Sequence, residues 1–174
     1  MLKVSGRRSR RLVGAVACAL TLGAVTAGSA GATGWSTSLS GAEQIASHLP
    51  GDPDGTGSAT ITVTGTTLCA DVSFANIAQP VVWAHIHGGA HGQPENIGWT
   101  INLFGPNING TTSPSHACTI VTPAQTAAMQ KAPMLFNVVV HNKEYPAGAI
   151  RGQLSNSPLC WAISQALCVG ALQQ

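Results

Sequence analysis

The sequence predicts an all-β protein: an antiparallel, Greek-key-like β-sandwich or barrel with one short helix, preceded by a signal peptide. Residues 58–64 and 68–74 alternate between apolar and polar side chains, which is typical of half-buried strands. Segments rich in glycine and proline separate these and later apolar runs, as turns do in all-β domains. Hydrophobic residues make up 44% of the chain and charged residues 8%, a composition that argues against intrinsic disorder.

The alternation also predicts which side chains face the core. Gly65 and Thr66 lie between the two alternating segments and indicate a hairpin. Further strands are expected at 81–87, 99–104, 134–141 and 149–154. Six large side chains should pack inside: Ile61, Val63, Val72, Phe74, Ile86 and Val138.

The helix is expected at 124–131, a segment made mostly of good helix formers. Thr122 can cap its first turn, Pro123 suits the first helical position, and Pro133 ends it.

The first 32 residues have the pattern of an export signal. Basic residues are concentrated in 1–11, and an uncharged run at 12–32 follows and ends in small side chains. Cleavage after Ala32 would leave 142 of the 174 residues as a protein that is secreted or held at the cell surface. A retained membrane anchor is the alternative for this run. Both the Sec and the twin-arginine export routes fit the sequence.

The charge of the remaining chain limits its partners. Three basic residues stand against six acidic ones, a net charge of −3, although the whole chain has a formal charge of +2. Nucleic-acid binding needs a basic surface, so nucleic acid is excluded as a partner. After cleavage of the signal we expect no membrane contact.

Four cysteines remain beyond the signal. An even number in an exported chain favours disulfides, and four cysteines allow three pairings. We expect Cys69–Cys118 and Cys160–Cys168. A continuous helix over 159–172 would hold the second pair about 12 Å apart, whereas a disulfide requires less than about 7 Å between Cα atoms. Either the short apolar tail at 155–174 is bent or the pairing differs.

Histidines point to the chemistry of this chain. His85 and His87 occupy positions i and i+2 of one predicted strand, so both imidazoles project from the same face. Such a pair is half of a copper or zinc site. His141 ends a later strand and is a candidate third ligand, and His91, in a glycine-rich loop, is an optional fourth. The alternative is that these histidines are hydrogen-bonded structural residues on a polar sheet face.

No motif assigns a catalytic residue. The sequence has no Gly-x-Ser-x-Gly, no His-Glu-x-x-His and no phosphate-binding loop. His48 and His116 fall in predicted loops, outside the candidate site.

Four motifs follow one another between residues 37 and 154: Leu-Ser-Gly-Ala-Glu-Gln at 39–44, a Gly-Asp-Pro-Asp-Gly turn at 51–55, Ala-His-Ile-His-Gly at 84–88, and Tyr-Pro-Ala-Gly-Ala-Ile-Arg-Gly-Gln-Leu at 145–154. Their combination resembles the chordin-domain (CHRD) family. The resemblance implies an all-β module of an exported protein, without a general enzymatic activity, that binds an extracellular protein or surface ligand.

A weaker similarity concerns the copper half of Cu/Zn superoxide dismutase. It rests on His-x-His-x-Gly at 85–89, a later Val-His and an arginine near the end of the domain. The similarity implies that His85, His87 and His141 hold copper and that Arg151 guides an anion. The alternative for Arg151 is a structural role, in which it fixes the closing turn of the domain. His91 is the sole candidate for the bridging ligand, and the zinc ligands of that family are absent.

Three functions from different classes follow. The first is a non-catalytic extracellular binding module, the second is a copper-binding protein, and the third is a copper-dependent enzyme similar to superoxide dismutase. We expect the first, with a histidine-ligated copper site as an added feature.

Overall fold

The computed structural model describes residues 31–46, 48–105 and 113–155, and its strands confirm the all-β class. The elements follow one another as β1 (Thr33–Ser40), α1 (Gly41–Ala46), β2 (Thr56–Thr64), β3 (Thr67–Ala75), β4 (Val81–Gly88), β5 (Asn96–Phe104), β6 (Ser115–Ile120), α2 (Pro123–Lys131), a 3-10 turn (Pro133–Leu135), β7 (Phe136–Asn142) and β8 (Ile150–Gln153). Residues 1–30 of the expected signal peptide, and Cys160 and Cys168 in the tail, lie outside the described residues.

The eight strands form one antiparallel sheet in the order β5-β4-β7-β8-β1-β2-β3-β6. The two ends of this sheet, β5 and β6, contact each other. The sheet is therefore a nearly closed barrel, which decides between the two architectures that the sequence left open. Within the described ranges, no helix has the length and apolar character needed to cross a membrane.

The interior of the barrel holds the core that the alternation predicted. All six of the expected side chains are buried, and they belong to one continuous hydrophobic cluster. Thr64 pairs with Thr67 across Gly65, whose φ of +61° lies in the left-handed region that favours glycine, so the predicted hairpin is confirmed.

Helix α2 is capped as the sequence predicted. The Gln125 backbone N–H donates to Thr122 Oγ1 at 3.2 Å, and the Thr122 N–H donates to Gln125 Oε1 at 2.9 Å. This reciprocal pair is a capping box, and Pro123 occupies the first turn.

Three elements were absent from the sequence prediction: β1, β6 and α1. In β1 the inward residues Trp35, Thr37 and Leu39 alternate with glycine and serine, which carry little strand propensity. His116 lies on strand β6, so its assignment to a loop was wrong. The segment at 134–141 likewise begins with a 3-10 turn and becomes a strand at Phe136.

The disulfide Cys69–Cys118 is confirmed. The two cysteines occupy paired positions on β3 and β6. The disulfide therefore links the end strand β6 to its neighbour on the outer surface of the barrel.

Candidate metal centre

Strand β4 presents different chemistry on its two faces. Ala84 and Ile86 are 0% exposed and point into the barrel, while His85 and His87 alternate with them and project outward. Paired strands place opposite residues on the same face, and Trp83 of β4 pairs with His141 of β7. His141 therefore projects from the same outer face as the two histidines of β4.

The three imidazoles converge on one region. His85 Nδ1 lies 3.2 Å from His141 Nε2, and one nitrogen from each of His85, His87 and His141 lies within 4.8 Å of the others. His87 is 5% exposed and His141 is 6% exposed, whereas His85 is half-buried and borders the solvent. Two of the three imidazoles are thus buried, and the third borders the solvent.

Hydrogen bonds fix the tautomers of the two buried histidines. His141 Nδ1 can only donate to the Pro146 carbonyl, 3.1 Å away, so its Nε2 carries the lone pair. The Thr100 hydroxyl donates to the Ile97 carbonyl at 2.9 Å and therefore accepts from His87 Nδ1 at 3.1 Å. Both Nε2 atoms are left as acceptors, which is the arrangement that metal-binding histidines adopt when their other nitrogen is held.

The geometry and the donor type fit a transition metal. Nitrogen ligands 2.0–2.1 Å from a tetrahedral ion lie about 3.3 Å from one another, and the His85–His141 separation is 3.2 Å. The group contains three imidazoles and no carboxylate or thiolate. Imidazole suits copper and zinc rather than calcium or magnesium, and copper(II) binds such nitrogen sites most tightly of the divalent first-row ions.

The charge state of the site favours metal binding. Burial, together with the neighbouring His85, lowers the pKa of both His87 and His141 to about 4. Burial also lowers the pKa of His85. An imidazole must be neutral to bind a metal, and these two buried imidazoles stay neutral well below pH 7.

These pKa shifts predict that the metal-free protein loses stability in mild acid. Unfolded histidines take up protons near pH 6.5, whereas His87 and His141 resist protonation until about pH 4. The unfolded state therefore binds more protons between these values, and stability should fall as the pH decreases from 6.5 toward 4. Thermal unfolding of wild type and of His87→Gln/His141→Gln at pH 7.5, 6 and 5 would measure the difference. Parallel pH profiles for the two proteins would contradict it.

The structure does not bring His91 into the group of three. Its Nε2 lies 3.0 Å from Glu43 Oε2 of helix α1, in an ion-pairing arrangement. Glu43 was not singled out from the sequence. The one sequence feature that could have drawn attention to Glu43 is its spacing from Ser40, which is typical of a helix N-terminus. In the structure the Glu43 N–H donates to Ser40 Oγ at 3.2 Å.

Arg151 lies on the same outer face but is 1% exposed. Its guanidinium donates to the Gln93 carbonyl at 3.0 Å and to the Ala90 carbonyl at 3.1 Å, so it anchors the loop after β4. Its charge also contributes to the lowered pKa of His87. These contacts give Arg151 a structural role, and its two terminal nitrogens donate to protein carbonyls rather than to solvent.

The sequence did not predict the contacts to Thr100 and Pro146 that orient His87 and His141. Thr100 is brought opposite His87 by the irregular pairing of β4 with β5, which contains register shifts. The Pro146 contact uses a backbone carbonyl, which carries no residue signature. Gly148, with a φ of +134°, allows its segment to lie against this face: a Cβ there would stand 2.8 Å from Val139 Cγ1.

The fold and the site define an all-β domain with an outward-facing histidine cluster. The family model of the CHRD domain matches residues 35–154. The chain therefore belongs to the CHRD family. No curated protein and no solved structure gives a significant match to it.

Proposed function

We propose that this chain is an exported, non-catalytic binding module that carries one copper ion on its outer face. The observation that supports copper is the convergence of His85, His87 and His141, with His85 Nδ1 3.2 Å from His141 Nε2. CHRD domains occur in extracellular proteins, which supports the extracellular location and a role in binding an extracellular protein or surface ligand.

Each of the three histidines would contribute one nitrogen ligand to the ion. His87 and His141 offer their Nε2 atoms, since Thr100 and Pro146 hold the opposite nitrogens. His85 would offer Nδ1 in the tautomer that carries its proton on Nε2, because Nδ1 and His141 Nε2 would both need free lone pairs. Bound copper would supply redox chemistry or a Lewis acid, and the half-buried His85 lies on the side of the group that faces the solvent.

A binding role is supported better than dismutation. Guiding an anion to the metal requires an accessible positive charge, whereas Arg151 is buried and both of its terminal nitrogens donate to loop carbonyls. The dismutase-like alternative therefore draws support from the ligand set alone.

Copper titration of metal-free protein at pH 7.5 tests the proposal. Wild type should bind one equivalent, while His85→Ala and His141→Ala should bind at least about 100-fold more weakly, because loss of a ligand exceeds the 10–100-fold cost of losing a ligand's orienting partner. His48→Ala removes an exposed histidine outside the group and should bind as wild type does. Equal binding by all four proteins would contradict the site.

Acid stability of the complex gives a second test. Because the pKa of His87 and His141 is lowered to about 4, copper should remain bound at pH 5.5 and dissociate near pH 4. Bound copper should also raise the melting temperature at pH 5.5, since the folded state presents the three histidines together and would bind it more tightly than the unfolded chain does. Dissociation complete by pH 6 would mean that the site behaves as ordinary exposed histidine.

Trp83 provides an optical reporter of the same site. Its ring stacks on the His85 imidazole, with centroids 6.2 Å apart and planes 27° apart. Copper(II) at the site should quench its fluorescence, and Trp83→Phe should abolish most of the quenching while leaving the binding stoichiometry unchanged. Quenching that persists in Trp83→Phe would place the copper elsewhere.

A further inference from the structure

A second group of reactive side chains lies on the outer surface of β3 and β6. Cys69 pairs with Cys118, and at the adjacent position of the same face Asp71 pairs with His116. Residues two apart on a strand share a face, so the four side chains form a compact square. Cys118, His116 and Asp71 are exposed, and Cys69 is half-buried.

Three of these side chains contact one another in the order Asp71, His116, Cys118. Asp71 Oδ1 accepts a hydrogen bond from His116 Nδ1 at 2.7 Å. His116 Nε2 lies 3.5 Å from Cys118 Sγ. The carboxylate thus fixes the imidazole so that its second nitrogen faces one sulfur of the disulfide, the order of groups found where a histidine assists a nucleophile or leaving group.

We propose that the Cys69–Cys118 disulfide is a thiol–disulfide exchange centre assisted by His116 and positioned by Asp71. The partner is a small thiol or an exposed cysteine of another protein. Its thiolate attacks Cys69 Sγ, a new S–S bond forms there, and the Cys69–Cys118 bond breaks with its electron pair on Cys118 Sγ. A second partner thiolate can then attack the mixed disulfide, which releases the partner as its own disulfide and leaves both cysteines reduced.

The contacts explain why Cys118 should be the leaving sulfur. A protonated His116 can donate its Nε2–H to the departing thiolate, and Asp71 stabilises the positive charge of the ring. A neighbouring histidine cation lowers the pKa of a cysteine thiol, and a thiol of lower pKa leaves faster. Cys118 is the sulfur that His116 contacts, so attack is directed to Cys69.

An external thiol can reach this disulfide, because Cys118 is exposed and Cys69 is only half-buried. Exposed disulfides are the labile ones that exchange with external thiols. The His116–Asp71 pair is also exposed, with side chains 61% and 64% accessible, and a surface pair of this kind contributes little to folding stability. Removing either side chain should therefore change the exchange chemistry and leave the melting temperature unchanged.

The experiment uses glutathione as the probe and the full-length, metal-free protein. Exchange is stopped at intervals by rapid alkylation, and peptide mass mapping measures glutathione separately on Cys69 and Cys118. Wild type should carry glutathione on Cys69 with Cys118 alkylated. His116→Gln should react on the order of fivefold more slowly and should distribute glutathione over both cysteines.

Asp71→Asn keeps a hydrogen-bond acceptor but removes the charge, so its rate should lie between those of wild type and His116→Gln. An equal rate in wild type and His116→Gln, or equal labelling of both cysteines in wild type, would overturn the proposal. Since copper is removed and the copper ligands are intact in all three proteins, the result is independent of the metal site.

Discussion

Replacing Ile86 by alanine should lower the free energy of unfolding by about 2–5 kcal/mol, the usual cost of truncating a buried aliphatic side chain. Ile86 is 0% exposed and lies in the middle of β4. It pairs with Ile101 of β5 and Val138 of β7, which are also buried, so the cavity would open inside the barrel. Denaturant unfolding of both proteins measures the difference.

A matched control for this substitution is Ile120→Ala. The same atoms are removed, but Ile120 is 74% exposed on strand β6, so its loss should change stability by less than about 0.5 kcal/mol. A similarly small change for Ile86→Ala would mean that the two faces of β4 are inverted, and the histidines would then point into the barrel.

Replacing Arg151 by methionine should destabilise the protein by about 3–5 kcal/mol, because two hydrogen bonds from a buried charged group are lost and each is worth about 1.5–3 kcal/mol. The variant loses two hydrogen bonds to the carbonyls of Ala90 and Gln93. It also removes the positive charge that opposes the burial-raised pKa of Glu95. Urea unfolding at pH 7.5, together with limited proteolysis of the loop after β4, measures both effects.

Two further variants define the origin of that loss. Lys143→Met removes a cation from an exposed position and should change stability by less than about 0.5 kcal/mol. Glu95→Gln in the Arg151→Met background should restore part of the stability, because no uncompensated carboxylate remains. An Arg151→Met protein as stable as wild type would show that the loop is held by other contacts, such as Asn137 Nδ2 to the Gly89 carbonyl at 3.1 Å.

Elements with strong periodicity could be predicted from the sequence. The β2–β3 hairpin combines threonine-rich alternation with a glycine turn. Helix α2 combines Thr122, Pro123 and a following segment of good helix formers, so in both cases local pattern and tertiary structure agree. Strands β1 and β6 were missed because glycine, serine and alanine dilute their alternation. Their strand conformation is stabilised by pairing with other strands: β1 pairs with β2, and β6 pairs with β3, which lies far from it in the sequence.

The candidate site, like the fold, could be predicted only where the local sequence pattern specifies it. The i and i+2 spacing of His85 and His87 indicated a shared face, and the position of His141 at a strand end indicated a third member. The contact of His91 with Glu43 depends on how α1 lies over the outer face, and the burial of Arg151 depends on the path of the loop after β4. Neither is encoded in local pattern.

Strand β4 carries the core and the histidine cluster on a single segment, with Ile86 facing in between His85 and His87 facing out. A slip of one residue in its pairing would exchange the two faces, driving two imidazoles into the hydrocarbon interior and exposing Ile86. Misregistered molecules would therefore lose the cluster as well as the core. Only molecules with the correct β4 register would then present the cluster to a metal. A bound metal ion would therefore stabilise correctly paired molecules over misregistered ones.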